Sequence, residues 1–137
     1  MLRPDVTLES FHARQAGTLP GRFGLVVTRL EEQRLDAEVA IEPWMLAPNG
    51  YLHAASVLLL ADTAAGYACI AHLPEGAKNF TTIELKSNFL ATAREGKMRT
   101  EVRADHLGRT THVWSATVFG PNDRKLALFR CTQMILS

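Results

Sequence analysis

Neither charge is in surplus in this chain. Fifteen Lys and Arg stand against fourteen Asp and Glu, for a formal net charge of +1 in 137 residues. No basic arm and no aromatic-plus-basic ladder appears, so nucleic-acid or membrane-surface binding driven by bulk electrostatics is excluded. Cysteine is scarce. Cys69 and Cys131 stand alone without C-x-x-C spacing, which reads as two reduced core thiols rather than a disulfide scaffold. The N-terminal stretch MLRPDVTLESFHARQAG lacks an apolar segment and a small-residue cleavage site, so no signal peptide is expected and the expected location is cytoplasmic. There is no glycine-rich phosphate loop, no G-x-S-x-G elbow and no cluster with metal-ligand spacing; neither a metal nor a cofactor is expected. Repeats, low-complexity tracts and Pro/Gly/Ser-rich linkers are also missing. One domain over residues 1–137 follows, with residues 1–20 as a helical N-terminal extension.

What is present is 47% hydrophobic and 21% charged, the balance of an ordinary globular protein. A helix is predicted from Thr7 to Ala16, stopped by Gly17 with Pro20 beyond. Strand patterns follow at Arg22–Leu30 and Gln33–Glu42, the second alternating Leu35, Ala37, Val39 and Ile41 against Asp36, Glu38 and Glu42. Glu31-Glu32 is expected to turn this hairpin. The loop PWMLAPNGYLH then leads into one long apolar run.

That run, HAASVLLLADTAAGYACIAHL, reads as a helix apolar on every side. Its length raises the question of a membrane span. Asp62 at its centre, with Thr63, Gly66 and many alanines, favours a buried core helix. Four more strands are predicted near Asn79–Leu90, Lys97–His106, Thr110–Gly120 and Arg124–Leu136. Short turns make them an antiparallel meander. In the first of these, Ile83, Leu85 and Phe89 alternate against Thr82, Glu84, Lys86 and Asn88. In the second, Met98, Thr100, Val102 and Ala104 alternate against Arg99, Glu101, Arg103 and Asp105. A sheet with one apolar face and one helix apolar all round can satisfy both only if the sheet wraps the helix. The expected class is α+β, a six-stranded antiparallel sheet around one central helix. The helix face left over suggests a second subunit.

The segment NGYLHAASVLLLADTAAGYAC resembles the signature of hotdog-fold acyl-CoA thioesterases, in which a G-x-x-H-G-G run opens the central helix. An Asp or Glu follows eight residues after the first glycine of that pair. Gly50, His53, Ala54 and Asp62 fall on those positions. Phenylacetate-pathway (PaaI-type) thioesterases are similar at LADTAAGYAC and at LALFR, and 4-hydroxybenzoyl-CoA thioesterases are similar in outline. Both family glycines are alanine here, Ala54 and Ala55. Ala47 stands where the family often has Asn or Gln, and Asn49 is the nearby amide.

The resemblance implies hydrolysis of an acyl-CoA thioester, of the aryl or phenylacetyl kind, with coenzyme A part of the substrate. Unpaired N–H groups near Ala54 would polarise the carbonyl. Asp62 would act as general base or nucleophile. His53 would steady the turn, or else be a core histidine bonded to a carbonyl. Thr82 falls where the superfamily often places a hydroxyl facing the carboxylate, although a strand threonine can owe its place to β propensity alone. Asn49, Gly50 and Ala55 would meet the thioester end. Arg109, Thr110 and Thr111 in HLGRTTH, with Lys86 and Asn88 behind them, would meet coenzyme A. A charged turn can equally be merely solvated. Tyr51, Leu59 and Phe80 would set the width of the acyl pocket.

Eight helical residues span about 12 Å. Ala54 and Asp62 of one helix therefore cannot reach the same carbonyl, and an antiparallel partner helix is required. A homodimer, able to assemble further into a homotetramer, is expected. Asp62 has no basic residue one turn away, so its pKa should be raised. The other reading of Asp62 is a carboxylate that only braces a subunit interface. At the level of function, the alternative is a hotdog module that binds acyl-CoA without turnover. A hydratase is a third reading, weakened because His53 and Asp62 share one element. His106 and His112 flank a turn and are expected to be exposed.

Overall fold

A computed structural model describes all residues, 1–137. Its elements are α1 (Leu8–Gln15), α2 (Leu19–Phe23), β1 (Val26–Glu31), β2 (Arg34–Ala40), α3 (Ala54–Ala71), β3 (Asn79–Phe89), β4 (Lys97–Leu107), β5 (Thr111–Phe119) and β6 (Lys125–Leu136). Six antiparallel strands in the order β1-β2-β4-β5-β6-β3 curve around α3, as the two apolar patterns require.

The core lies between the concave face and the helix. Leu35, Ala37 and Val39 of β2, Met98 and Val102 of β4, Trp114 and Val118 of β5, and Leu126, Phe129 and Cys131 of β6 meet Val57, Leu60, Ala61, Ala64, Ala65 and Ala68 of α3. The alanines let the helix backbone approach the sheet closely. By length and composition α3 could cross a membrane, yet half of it is buried against the sheet. Leu58, Leu59, Thr63, Tyr67 and Ile70 remain only partly covered.

Three expectations are corrected. First, Arg22 and Phe23 are not strand. Pro20 lies in the first turn of α2, where its missing N–H costs nothing, and Gly24 closes that helix at φ +85°. Gly21 allows the close contact with α1, since a Cβ there would sit 2.2 Å from the Gln15 carbonyl oxygen. The hairpin turn shifts likewise, to Glu32-Gln33, with Gln33 at φ +62°.

Second, the last four strands are not a simple meander. β4, β5 and β6 are, but β3 pairs with β6 at the far edge of the sheet. The connection after Phe89 must cross three strand spacings, about 14 Å, and seven residues reach that far easily. It is held on the way by Leu90 N–H to Leu126 O at 2.8 Å and by Ile41 N–H to Gly96 O at 2.8 Å.

Third, the alternation in β3 changes parity. A bulge between Thr82 and Glu84 leaves Ile83 without a partner residue. Phe80 and Thr82 therefore share the concave face with Leu85, Ser87 and Phe89, while Glu84, Lys86 and Asn88 point outward. Ile83, Leu85 and Phe89 stay exposed on this edge strand instead of entering the core.

Candidate active site

The loop before α3 is built by short-range hydrogen bonds. Asn49 Oδ1 accepts from the Tyr51 N–H at 3.1 Å, and Gly50 takes φ +87°, which favours glycine. Ala47 N–H to Tyr51 O at 2.7 Å and a Leu46–Leu52 bridge close a small hairpin. The Arg94 guanidinium covers the Tyr51 ring at 4.2 Å. His53 then caps the helix and is exposed; its Nδ1 accepts from the Ala55 N–H at 2.9 Å. It is a capping histidine rather than a core one, and it occupies the Ala55 donor. Ser56 and Val57 N–H groups turn back to His53 O. Ala54, the first helical residue, is exposed and its N–H meets no acceptor of its own chain. The positive end of an 18-residue helix thus presents one free donor to the surface.

Two turns further along, Asp62 lines a cleft of about 360 Å³ between α1, α2, α3 and the β3 edge. Thr82 lines the same cleft, brought there by the bulge at Ile83. Three aromatic rings, Phe11, Tyr67 and Phe80, stand among polar side chains in its walls. Phe11 stacks on Tyr67 with ring centroids 4.6 Å apart and planes 8° from parallel. Phe80 closes the floor over Gly66, where a Cβ would come 2.9 Å from the ring. Gln15 fixes the wall: its Nε2 donates to Leu25 O at 2.6 Å and its Oε1 accepts from the Tyr67 hydroxyl at 2.8 Å. The part played by the N-terminal helix in forming this wall has no local signature in the sequence; Phe11 and Gln15 read there only as one face of a short helix.

Asp62 forms no ion pair, and its Oδ1 is buried with no hydrogen-bond partner. Burial pushes its carboxyl above the ordinary carboxylate range, as the absence of a basic neighbour led us to expect. A raised folded-state value means that the folded protein prefers the protonated acid. That stabilising contribution is complete below the unfolded-state pKa and disappears as pH rises through the folded one. Asp62→Asn is therefore expected to unfold at a higher temperature than wild type at neutral pH, with the gain shrinking toward acid pH in calorimetric scans.

The remaining polar residues divide. Lys86 and Asn88 lie on the convex face, on the other side of the sheet from the cleft, beside Ser115, Thr117 and Arg130. Arg109 and Thr110 form an exposed turn, and Thr111 pairs with Met134. Met134 and Arg130 are four residues apart on β6, so the two groups lie about 14 Å from each other along the strands. One chain does not bring them together, nor either of them to Asp62. His106 is exposed as expected, but His112 is buried, on the concave face of β5. Cys69 Sγ lies 3.4 Å from His112 Nδ1, which superficially resembles a nucleophilic pair. Burial pushes the thiol up to about 12 and the imidazole down to about 4, so both are neutral, and both are shut away from solvent. No three His, Cys, Asp or Glu side chains are grouped to hold a metal.

The chain is similar in sequence and fold to known proteins. A model of the thioesterase superfamily matches residues 49–127, a span that includes Ala54, Asp62 and Thr82. A proofreading thioesterase, EntH of Klebsiella pneumoniae, is 30% identical over 132 residues, covering 96% of each chain. The 1,4-dihydroxy-2-naphthoyl-CoA hydrolase of Escherichia coli is 28% identical over 134 residues, again 96% of each. Among solved structures, a mutant thioesterase of Pseudomonas aeruginosa superposes with a TM-score of 0.92 at 26% identity, covering 98% of this chain and 97% of that one.

Proposed function

This chain belongs to the thioesterase superfamily and is a thioester hydrolase, and we propose that it hydrolyses aroyl-CoA thioesters in the cytoplasm at a site shared by two subunits. The observation that carries this reading is Asp62: an unpaired carboxylate, half-buried in a cleft that also holds three aromatic rings, on the same helix that offers a free N–H at Ala54.

The helix separates these two groups by about 12 Å. Two antiparallel copies of α3 bring the Ala54 end of one to the Asp62 middle of the other. The exposed side of β3 supplies the surface for such a dimer. It is a long edge strand with free backbone groups, and Ile83, Leu85, Phe89 and Leu90 lie uncovered on or beside it. Two-fold pairing of this edge covers them. The dimer is in turn the unit for a homotetramer.

In the proposed reaction the thioester carbonyl oxygen accepts from the Ala54 N–H, whose positive helix end stabilises the oxyanion as it forms. Asp62 of the partner supplies the oxygen nucleophile, its own or that of a water whose proton it takes. If water attacks, collapse of the tetrahedral intermediate expels the coenzyme A thiolate, which takes the proton Asp62 received from the water, and leaves the free acid. If the Asp62 oxygen itself attacks, collapse expels the thiolate and leaves an acyl-aspartyl anhydride. A water then hydrolyses this anhydride to the free acid and the regenerated carboxylate, its proton going to the thiolate. Thr82 faces the carboxylate across the cleft, and His53 holds the helix start open by engaging Ala55 instead of Ala54. Stacked Phe11 and Tyr67 with Phe80 favour a flat acyl group, and a relative named for a naphthoyl-CoA substrate supports that choice. Coenzyme A is substrate here, and the residues proposed for it remain Arg109, Thr110 and Thr111, with Lys86 and Asn88 on the outer face.

Free-thiol release from a panel of aroyl-, phenylacetyl- and fatty-acyl-CoAs tests the reading. Aroyl esters should give the highest kcat/KM. Because Asp62 must be ionised to act, kcat/KM should fall as pH drops through its raised midpoint, placing the acid limb above the ordinary carboxylate range. Binding of every ester without turnover of any would instead identify a non-catalytic acyl-CoA-binding module.

A further inference from the structure

Gln15 comes from α1 and is buried, with 8% of its surface exposed. Its amide ties the α1 wall of the cleft to α3. One end meets the Leu25 carbonyl oxygen at 2.6 Å, and the other meets the Tyr67 hydroxyl at 2.8 Å. A carbonyl oxygen can only accept, so the NH2 end of the amide must face Leu25. The oxygen end therefore faces Tyr67, and Tyr67 must be the donor of that bond. Burial pushes the Tyr67 phenol above its ordinary value, so the proton stays in place.

The consequence is a polarity. Tyr67 has one proton and spends it on Gln15 Oε1, which leaves only the lone pairs of Oη for the cleft. Thr18 repeats the pattern, its hydroxyl donating to the Gln15 main-chain oxygen at 2.6 Å. Both hydroxyls at this end of the cleft can thus take a hydrogen bond and neither can give one. The Tyr67 ring is held on its face by Phe11, 4.6 Å away, and at its tip by Gln15. Tyr67 stands five residues beyond Asp62 on α3, about 7.5 Å along the helix axis. An acyl group with its carbonyl at Asp62 brings its far end to Tyr67.

We propose that Gln15 makes Tyr67 a specificity-determining acceptor, which selects acyl groups carrying a hydroxyl or amino group at the end remote from the thioester. The proposal rests on the cleft beside Asp62 holding the acyl group, and it adds a demand for polarity to the demand for flatness. A hydroxyl or amine proton pairs with Oη. A fluoro or methoxy group in the same place sets a second acceptor against it and leaves it unpaired. Gln15 does not touch the acyl group; it is a positioning residue that acts through the Tyr67 proton. Arg14 is the one basic side chain lining the cleft, and selection by its charge would favour acceptors and anions, the opposite order.

The test uses benzoyl-CoA esters with a hydroxyl, amino, fluoro or methoxy group at the meta or para position. Tyr67→Phe is the reference, because the intrinsic reactivity of each ester cancels in the comparison. Relative to it, wild type should favour the hydroxyl and amino esters over the fluoro ester about tenfold in kcat/KM. Fluorine is no larger than a hydroxyl, so size does not produce this order. Gln15→Met frees the Tyr67 proton to turn into the cleft, and the fluoro and methoxy esters should gain about threefold on the hydroxyl ester. A merely structural role of Gln15 would slow all esters alike, and that result would remove Gln15 from the proposal. Should Gln15→Met not fold, since it strips the Leu25 oxygen of its partner, Tyr67→Phe decides alone. Arg14→Met should leave the order of the esters as it is. Dissociation constants of the same esters on Asp62→Asn should give that order without turnover. If wild type hydrolyses none of them while binding keeps the order, the proposed function fails and the selection by Tyr67 stands. A hydroxyl-to-fluoro ratio that is the same in wild type and Tyr67→Phe would overturn the proposal, as would equal dissociation constants or no binding of either ester.

Discussion

Asp62→Asn should lower kcat for the best aroyl-CoA ester by about 10³-fold, with KM changed little. The amide keeps the shape of the side chain and can neither take a proton from water nor attack a carbonyl. No other group in the cleft can replace it. Thr82, Thr63 and Thr18 are hydroxyls without a base, Arg14 is a cation, and Gln15 is held by Leu25 and Tyr67. The same substitution removes an unpaired buried oxygen that resists ionisation, so the folded state should gain stability at neutral pH. Activity lost and stability gained at one position is the mark of a group kept for chemistry. A carboxylate that merely braces an interface would show the reverse.

Ala54→Pro should lower kcat by about 10²-fold while leaving the fold intact. Proline removes one thing, the N–H proposed as oxyanion donor. At the first helical position it is otherwise well tolerated, since that N–H has no intrahelical partner and the required φ is already helical. The preceding residue must be extended, and His53 at φ −66°, ψ 137° already is. Circular dichroism and the melting temperature should therefore match wild type. The position also explains why alanine serves where relatives of the resembling family carry glycine. Ala54 is an ordinary helical residue, and its methyl group leaves the donor in place. An unchanged kcat in a well-folded Ala54→Pro protein would remove the helix start from the mechanism.

Most of the architecture could be read before any coordinates. The 2.0-residue alternation of β2 and β4 marks which residues face inward, and Leu35, Ala37, Val39, Met98, Thr100 and Val102 are all buried. The helix and its odd aspartate stand out because a lone acid in seventeen apolar or small residues has few explanations. What could not be read depends on partners distant in sequence. Nothing local in residues 90–96 says that the chain crosses over β6 and β5 to reach β4, because a seven-residue connection permits either neighbour. The bulge at Ile83 is likewise invisible, since an isoleucine in a strand pattern is the expected residue whether or not it is paired. That bulge decides whether Thr82 faces Asp62 or solvent. Pro20 misled for a different reason: the same residue that ends one helix is also at home in the first turn of the next.

The central claim is that each site takes its oxyanion donor from one subunit and its carboxylate from the other. Mixing two inactive proteins tests it most directly. Ala54→Pro and Asp62→Asn, unfolded together and refolded at equal concentration, should form about half mixed dimers, each with one site free of either substitution. The mixture should recover about a quarter of wild-type activity, while each protein refolded alone stays at about a hundredth of it or below. If Ala54 and Asp62 served one site within a single chain, every site would carry one defect and the mixture would show no recovery.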